Sequence, residues 1–394
     1  MLRALMVLTL LCLSACGGSS SSDPAPVESA ATQLTVAKAL FEEPALSASG
    51  RLACANCHAD AAAHADPAGT TLPVGGLNLD LAGMRSSPSL RYLDGNSTFR
   101  IDPVRGPQGG FTWDGRADSR AAQAGGPLLN PVEMASADVA AVAARVRGLS
   151  YYADFRRLFG LADNSADQAV FDTLKTALQS YQTLDPDYAL FNSRYDQFLD
   201  GKIALSAQEA RGLAVFNNPA TGNCASCHPS QPSLNGNRPV FTNFGYAALG
   251  VPRNAAIAAN ADPTFFDKGL CGPVRTDLAN RLDLCGQFKI PTLRNIALTG
   301  PYFHNARVAS LEDAVRFYAT RDADPTWYAP VAPGVLPYDD LPFALRANVQ
   351  QGAPFSRGLP TPRLSPQDVT DLVAFLRTLS DDPTAPAGGP TVAR

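Results

Sequence analysis

Two short stretches, CANCH at 54–58 and CASCH at 224–228, each place two thiols three positions apart with an imidazole directly after the second. C-x-x-C-H is the attachment signature of c-type haem. The spacing lets both thiols add to the vinyl groups of one porphyrin while the adjacent histidine rises under the iron. A single copy is open to reading as an accident or as a thiol redox pair. Two copies in one exported chain are read as two covalent haem c groups, held by Cys54, Cys57 and His58 and by Cys224, Cys227 and His228.

Haem iron has six positions, four filled by the porphyrin and a fifth by the motif histidine. The sixth decides the chemistry: a closed position carries electrons, and an open one binds a small oxidant. The inventory for it is short, with four histidines and four methionines in the chain. His58 and His228 are already used and Met1 and Met6 lie at the extreme N-terminus, which leaves His64, His304, Met84 and Met134. No methionine follows residue 134. A second haem that draws its sixth ligand from its own domain is thus left with His304, Tyr318 or another oxygen ligand, or an open site. Tyr318 lies near the end of the stretch SLEDAVRFYA, in which Leu311, Ala314, Val315 and Tyr318 share one helical face.

The elements that must position these groups read as helices. LSAQEARGLAVF (205–216) carries a Ser206–Glu209 capping box and runs into the second haem motif. LSPQDVTDLVAFLRTL (364–379) opens with Ser365 at the cap and Pro366 at the first helical position, followed by a stripe of Leu372, Val373, Phe375 and Leu376. VAKALFEEPALS is a weaker copy of that opening before the first motif. Helical spacing also marks 136–149, 151–159 and 167–184, and no stretch shows sustained strand alternation. The fold is therefore read as mostly α, in two c-type cytochrome domains (35–200 and 201–382) with long loops, since Pro (32) and Gly (31) are plentiful. A tail at 383–394 is expected to be flexible.

A net charge of −4 gives no basic footprint for nucleic acid. Residues 1–15 read as an export signal, with Arg3 before a short apolar run that ends in LSAC, which resembles a bacterial lipobox. Cys16 would then be lipidated, and GGSSSSDPAPVESAA would open a flexible tether over 16–34. That places the protein on the periplasmic side of the envelope, anchored to a membrane by lipid. Of the eight cysteines only Cys271 and Cys285 are left unassigned, and an oxidising compartment pairs them as a disulfide.

FTWDGRADSRAAQAGGPLLNPVEM (111–134) and FKIPTLRNIALTGPYFHNARVASLEDAVRFY (288–318) resemble signatures of the bacterial di-haem cytochrome c peroxidase and MauG superfamily. With both haem motifs the likeness covers roughly residues 35 to 380. It implies that the N-terminal haem binds hydrogen peroxide and the C-terminal haem passes electrons. By position it makes Glu133 the distal acid–base residue, with Gln123 and Pro127 lining the same pocket and Trp113 relaying electrons between the haems. A carboxyl suits that place, because splitting the O–O bond moves a proton from the inner oxygen to the leaving one. His304 matches a histidine beside the haems and is read as a hydrogen-bonder. The resemblance also implies a calcium ion held by Thr299, Pro301 and Ser86, the last a weaker neutral ligand standing where the family has Asn. No histidine falls in GTTLPVGGLNLDL, where peroxidases of the family carry a blocking distal ligand. His64 is expected to be exposed or to touch a propionate.

Tyr318 stands where the family's cytochrome c peroxidases have the second haem's methionine and where MauG-like members have tyrosine. A thioether favours reduced iron and a phenolate favours higher oxidation states. The leading expectation is a MauG/MbnH-type enzyme: peroxide raises both haems to a shared high-valent state that oxidises a residue, such as tryptophan, of a partner protein. The alternative is a cytochrome c peroxidase fed by a small c-type cytochrome or cupredoxin. A third reading, a non-enzymatic di-haem electron carrier, is opposed by Glu133 in an intact distal motif.

Overall fold

The structure, a computed structural model, describes residues 30–67, 72–324 and 339–392. The export signal, Cys16 and most of the tether lie outside the described residues. Six helices belong to the first haem region: α1 (Ala30–Phe41), α2 (Cys54–Cys57), α3 (Arg120–Leu129), α4 (Val139–Arg147), α5 (Tyr152–Leu158) and α6 (Asp167–Leu184). The apolar repeat of α6 buries Val170, Phe171, Leu174, Ala177, Leu178 and Tyr181 on one face, and α1, α3 and α4 pack against it. Side-chain caps set two of the starts: Ser119 accepts from Ala122 N at α3, and Asp138 from Ala141 N at α4.

The second region holds α7 (Arg194–Leu199), α8 (Ala207–Asn217), α9 (Leu311–Thr320) and α10 (Pro366–Arg377). Both expected N-terminal signals are present: Ser206 and Glu209 form a capping box on α8, and Ser365 and Asp368 form one on α10 with Pro366 inside the first turn. Helices α8 and α10 cross at Gly212, where a Cβ would lie 2.0 Å from the Asp371 carbonyl oxygen. Only glycine allows that approach. Around the crossing, Tyr195, Phe216, Phe241 and Phe375 form an aromatic core.

Strands are minimal. Three antiparallel ladders of two or three residues per strand join β1 (Val74–Gly75) to β2 (Leu81–Ala82), β3 (Arg100–Asp102) to β4 (Gly106–Gln108), and β5 (Tyr246–Ala247) to β6 (Phe288–Lys289). The long stretch 218–310 is mostly irregular and is stapled by the Cys271–Cys285 disulfide.

Three expected boundaries move. Residues 30–34 are the first turn of α1 and not tether, because Val36, Ala37, Leu40 and Phe41 further along the same helix are buried in the core. Core membership changes between Tyr188 and Tyr195, so α7 packs with the second region although it precedes residue 200. The stretch expected to be a flexible tail is pinned by backbone hydrogen bonds: Gly388 N to Leu190 O (2.7 Å), Arg238 N to Pro390 O (2.7 Å) and Val392 N to Gly236 O (2.9 Å). Asp381, just before it, bridges the regions by accepting from Tyr92 Oη (2.6 Å) and Asn295 Nδ2 (2.6 Å).

Candidate functional site

The two motif histidines are held in the same way. His58 Nδ1–H donates to the His64 carbonyl (3.0 Å) and His228 Nδ1–H to the Phe241 carbonyl (2.7 Å). Both acceptor residues adopt left-handed backbone, with φ of 54° at His64 and 52° at Phe241. A carbonyl acceptor fixes the tautomer and leaves Nε2 as the lone-pair donor for a metal. Burial lowers His58 and pushes His228 down to about 4, so both rings stay neutral. The Phe241 turn is itself anchored, since Arg294 donates twice to the Pro239 carbonyl (2.9 and 2.8 Å) and pairs with buried Asp196.

A large, mostly apolar cavity opens beside the second motif. Cys224, Cys227, His228 and Tyr318 line it, together with Trp113 and His304. Leu311, Ala314, Val315 and Tyr318 all face this cavity, so the stripe on α9 points where its spacing predicts. Two thiols, an oriented imidazole and apolar walls in one cavity fit a haem. No methionine lines it. Met134 is buried in the first core and Met84 packs beside Leu72 and Ile257. Burial and the nearby thiols push the Tyr318 phenol well above its ordinary range. His304 stacks on Phe288 at 3.5 Å and hydrogen-bonds Asp340 through Nε2 (3.1 Å).

On the first side, α3 sets Gln123 and Pro127 one turn apart, hence on one face. The chain then folds back on that helix, with Met134 N donating to Pro127 O (3.1 Å) and Ser136 N to Leu128 O (3.0 Å). That return places Glu133 near the first motif, where its charge reaches both Cys54 and Cys57. Burial raises the Glu133 carboxyl, while a hydrogen bond from Asn130 and the charge of Arg116 act the other way.

Trp113 connects the two sides. Its ring lines the second cavity, its Nε1–H donates to the Ser86 carbonyl (2.8 Å), and three residues later Arg116 acts on Glu133. Ser86 is fully engaged: its amide donates to His304 O (2.8 Å) and its hydroxyl to Phe303 O (2.8 Å). Thr299 and Pro301 precede that turn. Ser86 thus works as a bridge between the two regions, and among the described residues no cluster of three His, Cys, Asp or Glu could hold a metal ion.

His64 is not exposed. It is 1% exposed, lies 4.2 Å from the Tyr188 ring and accepts from Arg91 Nε at Nδ1 (3.1 Å). The histidine is buried because its carbonyl has to meet His58. The sequence reading also missed an ion triad beside Trp113. Arg85 donates to both oxygens of Asp267 (2.7 and 2.8 Å) and to Asp114 (2.8 Å). Asp267 lies 182 positions from Arg85, and no local pattern marks such a pair.

The family model for the di-haem cytochrome c peroxidase matches residues 31–204. The methylamine utilization protein MauG of Paracoccus denitrificans is 36% identical over 361 residues, covering 87% of either chain. The crystal structure of the di-haem peroxidase BthA from Burkholderia thailandensis superposes with a TM-score of 0.81 at 36% identity, covering 94% of this chain and 91% of its own. A MauG-like protein associated with microbial copper homeostasis is more distant, with a TM-score of 0.62 at 25% identity over 89% of this chain and 90% of its own.

Proposed function

The chain belongs to the di-haem cytochrome c peroxidase and MauG family, and from that membership we propose that it takes two oxidising equivalents from hydrogen peroxide and delivers them to a side chain of a partner protein. The observation that carries this reading is the second cavity: Tyr318 stands in it with both motif thiols and His228, and no methionine does. Two covalently attached haems would supply the iron that meets peroxide and the reservoir that stores its oxidising power. Cys54, Cys57 and His58 would hold one, and Cys224, Cys227 and His228 the other, with Tyr318 as the further iron ligand of the second.

The chain's own residues supply the rest. Glu133, half-buried and raised, moves the proton from the inner to the outer oxygen of peroxide. Gln123 and Pro127 shape the pocket around it. Trp113, against the second cavity and three residues from Arg116, is the conductor between the two sites. The reaction balances as two electrons and two protons taken from the partner residue, giving two waters from one peroxide. An electron-rich aromatic side chain such as tryptophan suits a donor that never touches iron. The export signal and lipobox support a periplasmic, lipid-anchored protein. A second reading, peroxide reduction with electrons from a small redox protein, is favoured by the likeness to a di-haem peroxidase.

Peroxide added to the purified holoprotein without a donor separates the two. The proposal expects both oxidising equivalents to persist and to be titrated back by ascorbate, and Tyr318→Phe to shorten their lifetime and change the low-spin paramagnetic signal. Fast turnover with reduced cytochrome c, no retained equivalents and an indifferent Tyr318→Phe would refute it.

A further inference from the structure

Where the chain leaves α3, one side chain does two jobs. Asn130 caps the helix: its amide donates to Gly126 O (3.1 Å), and its carbonyl accepts from Glu133 N (3.0 Å) and Ala135 N (3.0 Å). Its side-chain oxygen accepts from Val132 N (3.2 Å), which closes the turn over Pro131. Its side-chain nitrogen donates to Glu133 Oε1 at 2.6 Å. Among the described residues, Glu133 Oε2 has no hydrogen-bond partner.

The β1–β2 hairpin grips the same residue from the opposite side. Gly76 N donates to the Glu133 carbonyl (2.7 Å), and a Cβ on Gly75 would come within 2.6 Å of the carbonyl oxygens of both Val132 and Glu133. The backbone of Glu133 is thus fixed by the hairpin and one carboxyl oxygen by Asn130. Only Oε2 is left to work.

We propose that Asn130 is a positioning residue for Glu133: it occupies Oε1 and aims Oε2, so that one oxygen carries the proton between the two peroxide oxygens. The inference rests on the reading of Glu133 as the proton shuttle. In the step, Oε2 takes the proton of the inner oxygen and gives it to the outer one. The O–O bond breaks, the outer oxygen leaves as water, and Glu133 returns to its carboxylate. The two electrons come from the di-haem centre. A single-atom shuttle needs no rotation of the carboxyl between uptake and release. Proton transfer depends on hydrogen-bond reach, so loss of aim costs rate even though the acid is still present.

The charge state gives a second handle. Burial favours the neutral acid, whereas the Asn130 hydrogen bond and Arg116 favour the carboxylate that must accept the proton. Cys54 and Cys57 also face Glu133 and carry no charge once their sulfurs are thioethers. Removing the Asn130 donor should therefore move the acid limb of the pH–rate profile to higher pH.

The test is stopped-flow reaction of the holoprotein with hydrogen peroxide across pH for Asn130→Ala, Asn130→Asp and Glu133→Gln. Asn130→Asp keeps an acceptor for Val132 N, and hence the turn, but replaces the donor with a like charge. Both Asn130 variants are expected to react at least ~10-fold more slowly. Their acid limb should lie at higher pH, further for Asp than for Ala, with unchanged haem spectra. If Glu133→Gln slows the reaction while both Asn130 variants keep the wild-type profile, the inference is wrong and the shuttle stands. A slower rate with an unmoved acid limb would reduce Asn130 to a shaper of the turn, and also overturns it. An unaffected Glu133→Gln removes the shuttle itself, and the inference with it.

Discussion

Arg85→Met is the most demanding test of how the two regions are joined. The Arg85 side chain is about one-tenth exposed and binds Asp114 and Asp267, whose side chains are 0% and 9% exposed. Burial alone would raise both carboxyls, yet both lie below the ordinary carboxylate range because the guanidinium overrides it. Methionine keeps the unbranched apolar stem of arginine but neither its full length nor its charge. Asp114 would keep Arg116, whereas Asp267 would keep little beyond the amide of Gly269 (3.1 Å). Breaking a buried pair from one side costs roughly 3–5 kcal/mol. With about 2.1 cal/mol/K of unfolding entropy per residue over roughly 350 residues, that corresponds to a drop of ~4–7 °C in melting temperature. The pH dependence has a definite sign. In the wild type the depressed carboxylates contribute above their unfolded value of 3.8 and lose that contribution only as pH falls through their folded values. In the variant Asp267 is raised, so its deficit is largest at pH 7 and narrows on acidification. Calorimetry of the holoprotein at pH 7 and pH 5 reads both effects, and Asp267→Asn added to Arg85→Met should restore most of the loss. A variant that melts within ~1 °C of wild type at pH 7, or whose deficit widens toward pH 5, refutes the reasoning.

Two further outcomes follow from packing. Gly212→Ala should destabilise despite a helix propensity better by about 1 kcal/mol, because its Cβ meets the Asp371 backbone and not a side chain that can move; urea unfolding reads the net sign. Phe375→Ala should cost about 3–5 kcal/mol in the same assay, and should broaden the absorption of the second haem, since the ring packs against Phe241, whose carbonyl orients His228.

The sequence made some elements legible and hid others for physical reasons. Helix α6 could be read to the residue because its apolar repeat runs uninterrupted for eighteen positions. Helices α8 and α10 announced themselves through Ser206–Glu209 and Ser365–Asp368, which are local signals. The direction of Tyr318 followed from the spacing of Leu311, Ala314 and Val315 on the same helix. Features built from distant backbone contacts left no such trace. The 383–392 segment has the composition of a tail, and hydrogen bonds to distant residues, among them Leu190, Asn192, Gly236 and Arg238, hold it in place. Likewise His64 sits in an alanine-rich loop that suggests exposure, while its burial comes from Arg91, Tyr188 and the demand of His58 for a carbonyl.

The span from Trp113 to Arg116 links the second cavity to the surroundings of Glu133. Trp113 touches the second cavity, Asp114 locks onto Arg85 and through it onto Asp267, and Arg116 biases Glu133 toward its carboxylate. The Trp113 ring is not held by its own region alone. Its indole donates to Ser86, and Ser86 donates to the 303–304 turn of the second region. A change in how the regions meet would therefore reach the indole through one residue and the Glu133 carboxyl through three more. The Trp113 indole bonded to Ser86 and the Arg116 charge that acts on Glu133 thus lie three residues apart on one segment. That coupling is what a protein needs if oxidising power made on one side is to be kept, rather than spent, until a partner arrives at the other.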